Sequence, residues 1–274
     1  MDHHAAGGAD ESARPRNRIL ALLPAEELEE LRPALERVRL ETRQVVFDVG
    51  APIEHVYFPE TAVISLVSVM PDGSAVETAT VGHEGMVGIP VFLGAGSMAG
   101  QAFAQVPGDA YRMSAGDLRA EVGRGGALPE VLGRYTQALF THVAQCSACN
   151  RLHPVEQRCA RWLLTTHDAV GADAFEMTHL FLSQMLGVRR ATVTEVAGRL
   201  QDAGLIEYSR GRMAVVDRAG LEAAACECYG IVRAEFARLL DGGAVPSPLD
   251  GVVVSEGGMS RAGEGEPRDG GGAG

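Results

Sequence analysis

The side chains best equipped for chemistry lie between residues 178 and 216. Arg189, Arg190, Thr192 and Glu195 form a polar set just after the pair Gly187-Val188. A guanidinium can read guanine O6 and N7 with two hydrogen bonds, and a carboxylate can accept from cytosine N4. These four are the candidate base contacts. Ser183, Gln184, Arg199, Arg210 and Arg212 are the candidate phosphate contacts, which set register without reading sequence. A second chemical set is sulfur-based. All five cysteines fall between residues 146 and 228, and Cys146, Cys149 and His153 follow one another at helical spacing. Thiolates and imidazoles in such a set can bind zinc or, for the thiols, oxidise.

The first set needs two helices and a tight turn to hold it. Leu182, Met185 and Leu186 make an apolar face on one helix, and Val193, Val196 and Leu200 recur at steps of three and four on the next. Gly187 supplies the turn, where a positive φ carries no Cβ penalty, and Val188 fills the angle. That is a helix-turn-helix, with the start of the second helix entering the major groove. A helical hairpin with a solvated polar face would show much the same pattern. The segment 205–216 separates the two readings: strand, Arg-Gly-Arg turn, strand, which is a wing with a basic tip.

Upstream, residues 17–37 read as helical, starting at Pro24 with Leu28, Leu31 and Leu35 in phase. From about 38 to 113, short β-branched runs alternate with turns such as Pro71-Asp72-Gly73 and Pro107-Gly108-Asp109, which suggests a barrel or sandwich. Ser114 caps a short helix, a long helix covers roughly 127–151, and Pro154 starts another that ends near Gly171. A last helix is expected over 218–240. Residues 1–16 and the Gly-rich tail 241–274 carry too little apolar surface to offset ordering and read as disordered.

Along the long helix, Leu132, Tyr135, Leu139, His142, Cys146, Cys149 and His153 alternate at spacings of three and four. That is a heptad seam, the surface two helices share in a coiled coil. It makes the helix a dimerisation element with Leu132, Tyr135, Leu139, His142 and Cys146 at its interface. The plainer reading of Cys146, Cys149 and His153 is small buried residues near a hinge, with no metal. The sharper reading makes them a metal or redox sensor. Cys226 and Cys228 form a second pair near Tyr229.

The 274-residue chain carries a net charge of -12, with every one of its 24 basic side chains an arginine. Overall acidity does not exclude nucleic acid, because recognition rests on local patches. No run approaches the ~20 apolar residues of a membrane span. No secretory signal is visible at the N-terminus, so a cytoplasmic protein is expected. Five cysteines in such a chain do not read as structural disulfides. Cys149 and His153 lie four residues apart, but no phosphate loop or nucleophile elbow accompanies them, so no enzyme is expected.

The sequence resembles the Crp–Fnr family of bacterial regulators over roughly residues 17–225. The carriers are Arg158-Cys-Ala-Arg-Trp-Leu-Leu164, Leu182-Ser-Gln-Met-Leu-Gly-Val-Arg-Arg-Ala-Thr-Val193, Gly204-Leu-Ile206 with its Arg-Gly-Arg wing, and the turns Asp72-Gly73, Val81-Gly82 and Val87-Gly88. The resemblance implies an α+β protein. A β-roll sensor domain (a cupin-like jelly roll) covers 17–125, a dimerisation helix 126–153, and a winged helix-turn-helix 154–240. It implies a homodimer on a palindromic promoter, with double-stranded DNA and RNA polymerase as partners and a small-molecule effector. Arg190 matches a base-reading Arg of the family, Ala191 replaces a Glu, and Glu195 falls where a second Arg is usual. The ribose-binding Gly-Glu pair of cyclic-nucleotide-binding members reads Gly88-Ile89, and the phosphate-binding Arg falls near Ala99-Gly100-Gln101. A phosphate buried without a cation is strongly disfavoured, so cyclic AMP is not expected as the ligand and the effector is unidentified.

Overall fold

A computed structural model describes residues 14–241 and two short strands, Val252–Ser255 and Gly258–Arg261. Residues 1–13 of the expected N-terminal arm lie outside the described residues. Asn17, fully buried, organises the entry to the fold. Its Oδ1 accepts from the Leu20 amide, capping helix α1 (Arg18–Ala21), while its Nδ2 donates to the carbonyls of Pro59 and Gly85. Helix α2 (Ala25–Leu31) follows, and a 3-10 turn over Arg32–Ala34 ends the helical stretch. The helix expected through residue 37 therefore stops early. Pro33 cannot donate within a continuing helix, and Glu36–Leu40 is strand β1 instead.

Next come β2 (Val45–Phe47), β3 (His55–Pro59), β4 (Val63–Val69) and β5 (Ala75–Val81). A one-turn helix, α3 (Ile89–Phe92), precedes β6 (Gly100–Val106) and β7 (Gly108–Ser114). They form two antiparallel sheets, ordered β1-β7-β3 and β2-β6-β4-β5. Phe47, Val56, Phe58, Ile64, Val81, Ala102 and Met113 from both sheets share one apolar core, which is the β-roll the resemblance implies. Ser114 accepts from the Asp117 amide to cap α4 (Ala115–Arg124), as expected.

Helix α5 (Ala127–Leu152) is the long helix, and α6 (Val155–Val170) runs from Pro154 to Gly171 in the left-handed conformation. Strand β8 (Ala174–Glu176), helices α7 (His179–Leu186) and α8 (Arg190–Asp202), and strands β9 (Ile206–Ser209) and β10 (Arg212–Val215) complete a winged helix, with sheet order β8-β10-β9. The single helix expected over 218–240 is two: α9 (Arg218–Ala224) and α10 (Cys228–Asp241). Ala225 is extended (φ -79°, ψ 159°) at the break, which turns α10 back against α5. In the tail, expected to lack structure, Val252–Ser255 (β11) pairs antiparallel with Gly258–Arg261 (β12); its other residues beyond Asp241 lie outside the described residues. Among the described residues no helix is long and apolar enough to cross a membrane.

The docking of α10 decides the fate of the heptad seam. Leu132, Tyr135, His142 and Cys146 are buried within the chain. Phe236 of α10 meets Tyr135 and His142 edge-on, with centroids 6.1 and 6.2 Å away, and Leu240 joins the same core. Leu139 alone of the five is half-exposed. The seam expected at a dimer interface is thus filled by the chain's own C-terminal helix. On the other side of α5, Gly133, Gln137, Phe140, Ala144, Ser147 and Arg151 are exposed at the same three-four spacing, with Phe140 keeping 69% of its surface open.

Candidate nucleic-acid interface and thiol cluster

Helices α7 and α8 meet at Gly187, whose φ of 63° and ψ of 39° need a residue without a Cβ. Leu182, Met185, Leu186, Val193, Val196 and Leu200 are all buried in one cluster, with Val188 packed against it. Thr178 caps α7 by accepting from the Phe181 amide. Arg158 of α6 caps the other end, donating through Nη2 to the Leu186 carbonyl, where a cation also suits the helix dipole.

This scaffold leaves Arg189, at the N-cap of α8, and Arg190, its first residue, exposed together with Glu195, while Thr192 is half-buried. Of the residues expected to hold phosphate, Gln184, Arg210 and Arg212 are exposed. Arg210 (φ 51°) and Gly211 (φ 81°) make the hairpin tip between β9 and β10. One expectation needs correction, and one residue is engaged with a neighbour. Ser183 is buried and its hydroxyl donates to the Leu180 carbonyl at 2.7 Å, so it is spent inside α7. Arg199 is exposed, but its Nε is paired with Glu156 at 2.7 Å.

Sequence reasoning missed the side chains that join helix and wing. His179 stacks on Tyr208 of β9 at 4.1 Å, and its Nδ1 lies 3.0 Å from Thr194 Oγ1 on α8. Burial, then the Arg190 charge, lowers the His179 pKa and keeps the ring neutral. Gln201 Oε1 accepts from the Tyr208 amide. An aromatic and a His at those positions give no periodic signal.

A polar network joins the winged helix to the β-roll. The buried Glu77 of β5 accepts from Trp162 Nε1 of α6 at 2.7 Å and from Thr80 Oγ1 at 2.7 Å. Its other oxygen lies 2.6 Å from Ser65 Oγ, which is also 2.7 Å from Gln105 Oε1. One hydroxyl proton cannot serve two acceptors. Burial pushes the Glu77 carboxyl above its usual range, and a protonated Glu77 donating to Ser65 satisfies the chain. Gln105 Nε2 then reaches Thr166 of α6 at 3.0 Å. Phe181 of α7 packs edge-on against Phe103 of β6 at 5.9 Å. Arg210 and Arg212 line a cleft of about 1030 Å³ with Thr42 and Arg43 of the β-roll.

In the β-roll, Gly88 (φ 109°) lies against Val56, and Ile89 behind it is buried. Gly100 backs onto the Val67 carbonyl, and Gln101 donates to Asp48 at 2.9 Å.

The sulfur set is rearranged relative to expectation. Cys149 and His153, one turn apart at the end of α5, meet Cys226 in the α9–α10 break and Cys228 at the start of α10. Their ligand atoms all lie within 4.8 Å of one another. The Cys149 and Cys226 sulfurs are 3.5 Å apart, and Cys228 Sγ is 3.4 Å from His153 Nδ1. Hydrogen bonds from Cys226 and Cys228 hold the Cys149 thiol below its usual range. Cys146, expected in this group, is outside it; burial pushes its thiol up. His142 is likewise buried, which pushes it down to about 3, so the ring is neutral.

Two family models match the chain: the cyclic nucleotide-binding domain over residues 37–124 and the Crp-like helix-turn-helix domain over residues 157–224. No curated protein matches the chain by sequence. Among solved structures it is similar to FixK2 from Bradyrhizobium japonicum, with TM-score 0.60, 17% identity, and coverage of 70% of this chain and 98% of that one. It is also similar to the regulator CLP from Xanthomonas campestris, with TM-score 0.56, 16% identity, and coverage of 70% and 99%. A third is a CRP-family transcriptional regulator from Thermus thermophilus, with TM-score 0.55, 20% identity, and coverage of 69% and 96%. At such identities these likenesses speak for the fold. With both domain models matched in this order, over more than half of its length, the chain belongs to the Crp–Fnr family of transcription regulators.

Proposed function

We propose that this regulator binds a palindromic promoter site as a homodimer and reads it with Arg189, Arg190, Thr192 and Glu195. The observation that carries the reading is the exposed Arg189-Arg190 pair at the start of α8, behind a Gly187 turn flanked by Met185, Leu186, Val188 and Val193, which are all spent on packing. A helix pair that served only protein contacts has no need of two guanidiniums there, nor of Arg210 and Arg212 on the wing. Gln184, Arg210 and Arg212 are the phosphate contacts; Arg199 joins them on release from Glu156. The surface for a second copy is the exposed strip of α5 around Phe140, since α10 occupies the other face. RNA polymerase is the natural partner of a promoter-bound regulator.

The effector acts at the β-roll or α5. CLP is a c-di-GMP-responsive regulator, but Gly88-Ile89 and Gly100-Gln101 here offer no cation for a phosphate, so cyclic AMP is not the ligand.

The test is selection of bound sequences from a random duplex pool at physiological salt, with and without cell extract as a source of effector. A two-fold symmetric consensus with half-sites about one helical turn apart is expected. No enrichment in either condition would overturn the reading.

A further inference from the structure

Four metal-ligating side chains converge from two distant stretches of sequence. Cys149 and His153 come from the last turns of α5; Cys226 and Cys228 come from the break before α10. A tetrahedral zinc site has bonds of about 2.3 Å to sulfur and about 2.0–2.1 Å to nitrogen, which places its ligand atoms about 3.5–3.8 Å apart. The Cys149–Cys226 and Cys228–His153 separations, 3.5 and 3.4 Å, are already close to that length. The remaining separations, at most 4.8 Å, close by rotamer adjustment. We propose that Cys149, His153, Cys226 and Cys228 bind one Zn²⁺ in a three-thiolate, one-imidazole site.

Two observations outside the ligand set support this. His153 turns Nδ1 toward the thiols, and its Nε2 lies 3.3 Å from Glu227 Oε1. Ligating histidines characteristically give their second N–H to a carboxylate, which fixes tautomer and ring orientation. Glu227 sits between the two cysteines of the Cys226-Glu-Cys228 turn, so the same turn supplies two ligands and the group that orients a third. Gln145 Nε2 also donates to Cys228 Sγ at 3.1 Å. The second observation is Arg161, only 7% exposed, which makes no ion pair among the described residues. Its field reaches Cys146 first and then Cys149 and Cys226, and a buried cation needs a compensating charge. Three thiolates and Zn²⁺ sum to one negative charge, which Arg161 offsets. Glu77, whose charge Arg161 also feels, is committed to Ser65, Thr80 and Trp162.

Other uses of the sulfurs fit less well. A disulfide needs its sulfurs at about 2.05 Å, and joining Cys149 to Cys226 would leave Cys228 and His153 without a role. The bridging sulfides of an iron–sulfur cluster need more room than this set leaves. Soft, compact S/N sets of four favour Zn²⁺. Binding displaces the thiol protons to solvent. The ion would pin the end of α5, beside the turn at Pro154 into the winged helix, to the segment that carries α9 into α10. It would thus fix the DNA-binding module relative to the long helix.

The test uses the full chain, purified without chelator and analysed for metal by mass spectrometry, then reconstituted with Co²⁺. We expect a single equivalent of zinc per chain, and strong tetrahedral ligand-field bands with thiolate-to-cobalt charge transfer. Cys226→Ser, Cys228→Ser and His153→Ala should fall well below one equivalent, while Cys146→Ala and Cys159→Ala keep it. Wild-type protein with substoichiometric metal, octahedral cobalt bands or a Cys149–Cys226 disulfide would overturn the proposal, as would metal loss in Cys146→Ala equal to that in Cys228→Ser. Should the ligand variants fail to fold, the wild-type metal content and cobalt spectrum decide alone. Neither readout depends on DNA binding.

Discussion

Single residues divide the interface by what each can read. Arg190 lies in the first turn of α8, the proposed base-reading position, whereas Arg212 lies on the wing beside its tip. Arg190→Ala should cost ~1–3 kcal/mol on the selected site and relax discrimination at one base pair. Arg212→Ala should weaken all duplexes alike and reduce the slope of log affinity against log salt by about one. Equilibrium titration on matched and mismatched duplexes at several salt concentrations separates the two. Buried Glu77 makes a different kind of prediction. Its folded pKa lies above the unfolded value of 4.5, so the folded chain keeps the proton longer. The stability Glu77 contributes is full below that unfolded value and is lost as pH rises through the folded one. Glutamine offers an uncharged N–H to Ser65 and a carbonyl to Trp162 and Thr80. Glu77→Gln should therefore melt higher than the parent at about pH 8, with the gap shrinking toward pH 5. A pH-independent difference in melting temperature would mean that Glu77 is not held protonated.

At the scale of elements, α5 has two faces with the same repeat, and the fold covers one of them and leaves the other exposed. The richer one is buried within the chain: Leu132 and Tyr135 join the β-roll core, Phe236 of α10 meets Tyr135 and His142, and Cys146 is buried as well. The poorer one keeps Phe140 exposed among small and polar residues, and small residues allow two helices to approach closely. If the proposed dimer forms through this strip, Phe140→Glu should leave the fold intact and sediment as a monomer where the parent sediments as a dimer. Leu132→Ala should do the reverse, lowering unfolding stability by about 2–5 kcal/mol with little change in association. If Leu132→Ala dissociated the protein and Phe140→Glu did not, the dimer face would be the buried one after all.

For the whole molecule, the winged helix is tied to the β-roll at Glu77–Trp162, Gln105–Thr166 and Phe103–Phe181. None of these touches the side chains assigned to DNA. Trp162→Phe keeps an aromatic side chain but removes one of the two donors to Glu77 Oε1, with Thr80 remaining, at a cost of about 0.5–1.5 kcal/mol for the lost hydrogen bond. Hydrogen exchange should speed up in α6 and in β5 together, with α8 amides unchanged. Equal acceleration throughout the chain would show a global loss of stability in place of a loosened junction.

Local chemistry alone determined the helix-turn-helix. Gly187, the alternating apolar residues on either side and the Arg-Gly-Arg hairpin are contiguous, and each acts through neighbours within a few residues. The caps at Ser114, Pro154 and Gly171 were legible for the same reason, as were the turn-punctuated strands. Tertiary structure decided what depends on distant partners. Ser183 looked free for phosphate until the α7 backbone carbonyl of Leu180 claimed its hydroxyl. Heptad spacing marked α5 as a helix with a sticky face, but it could not say whether a second copy or α10 covers it. The break at Ala225 is unmarked, because Ala-Ala-Cys-Glu-Cys is compatible with helix. It arises where Tyr229 bonds Asp168 at 2.6 Å and Phe236 reaches the α5 core. That break carries Cys226 and Cys228 onto Cys149 and His153. Four residues spread over nearly eighty positions therefore become neighbours only when the last helix docks, since burying its apolar side outweighs keeping it straight.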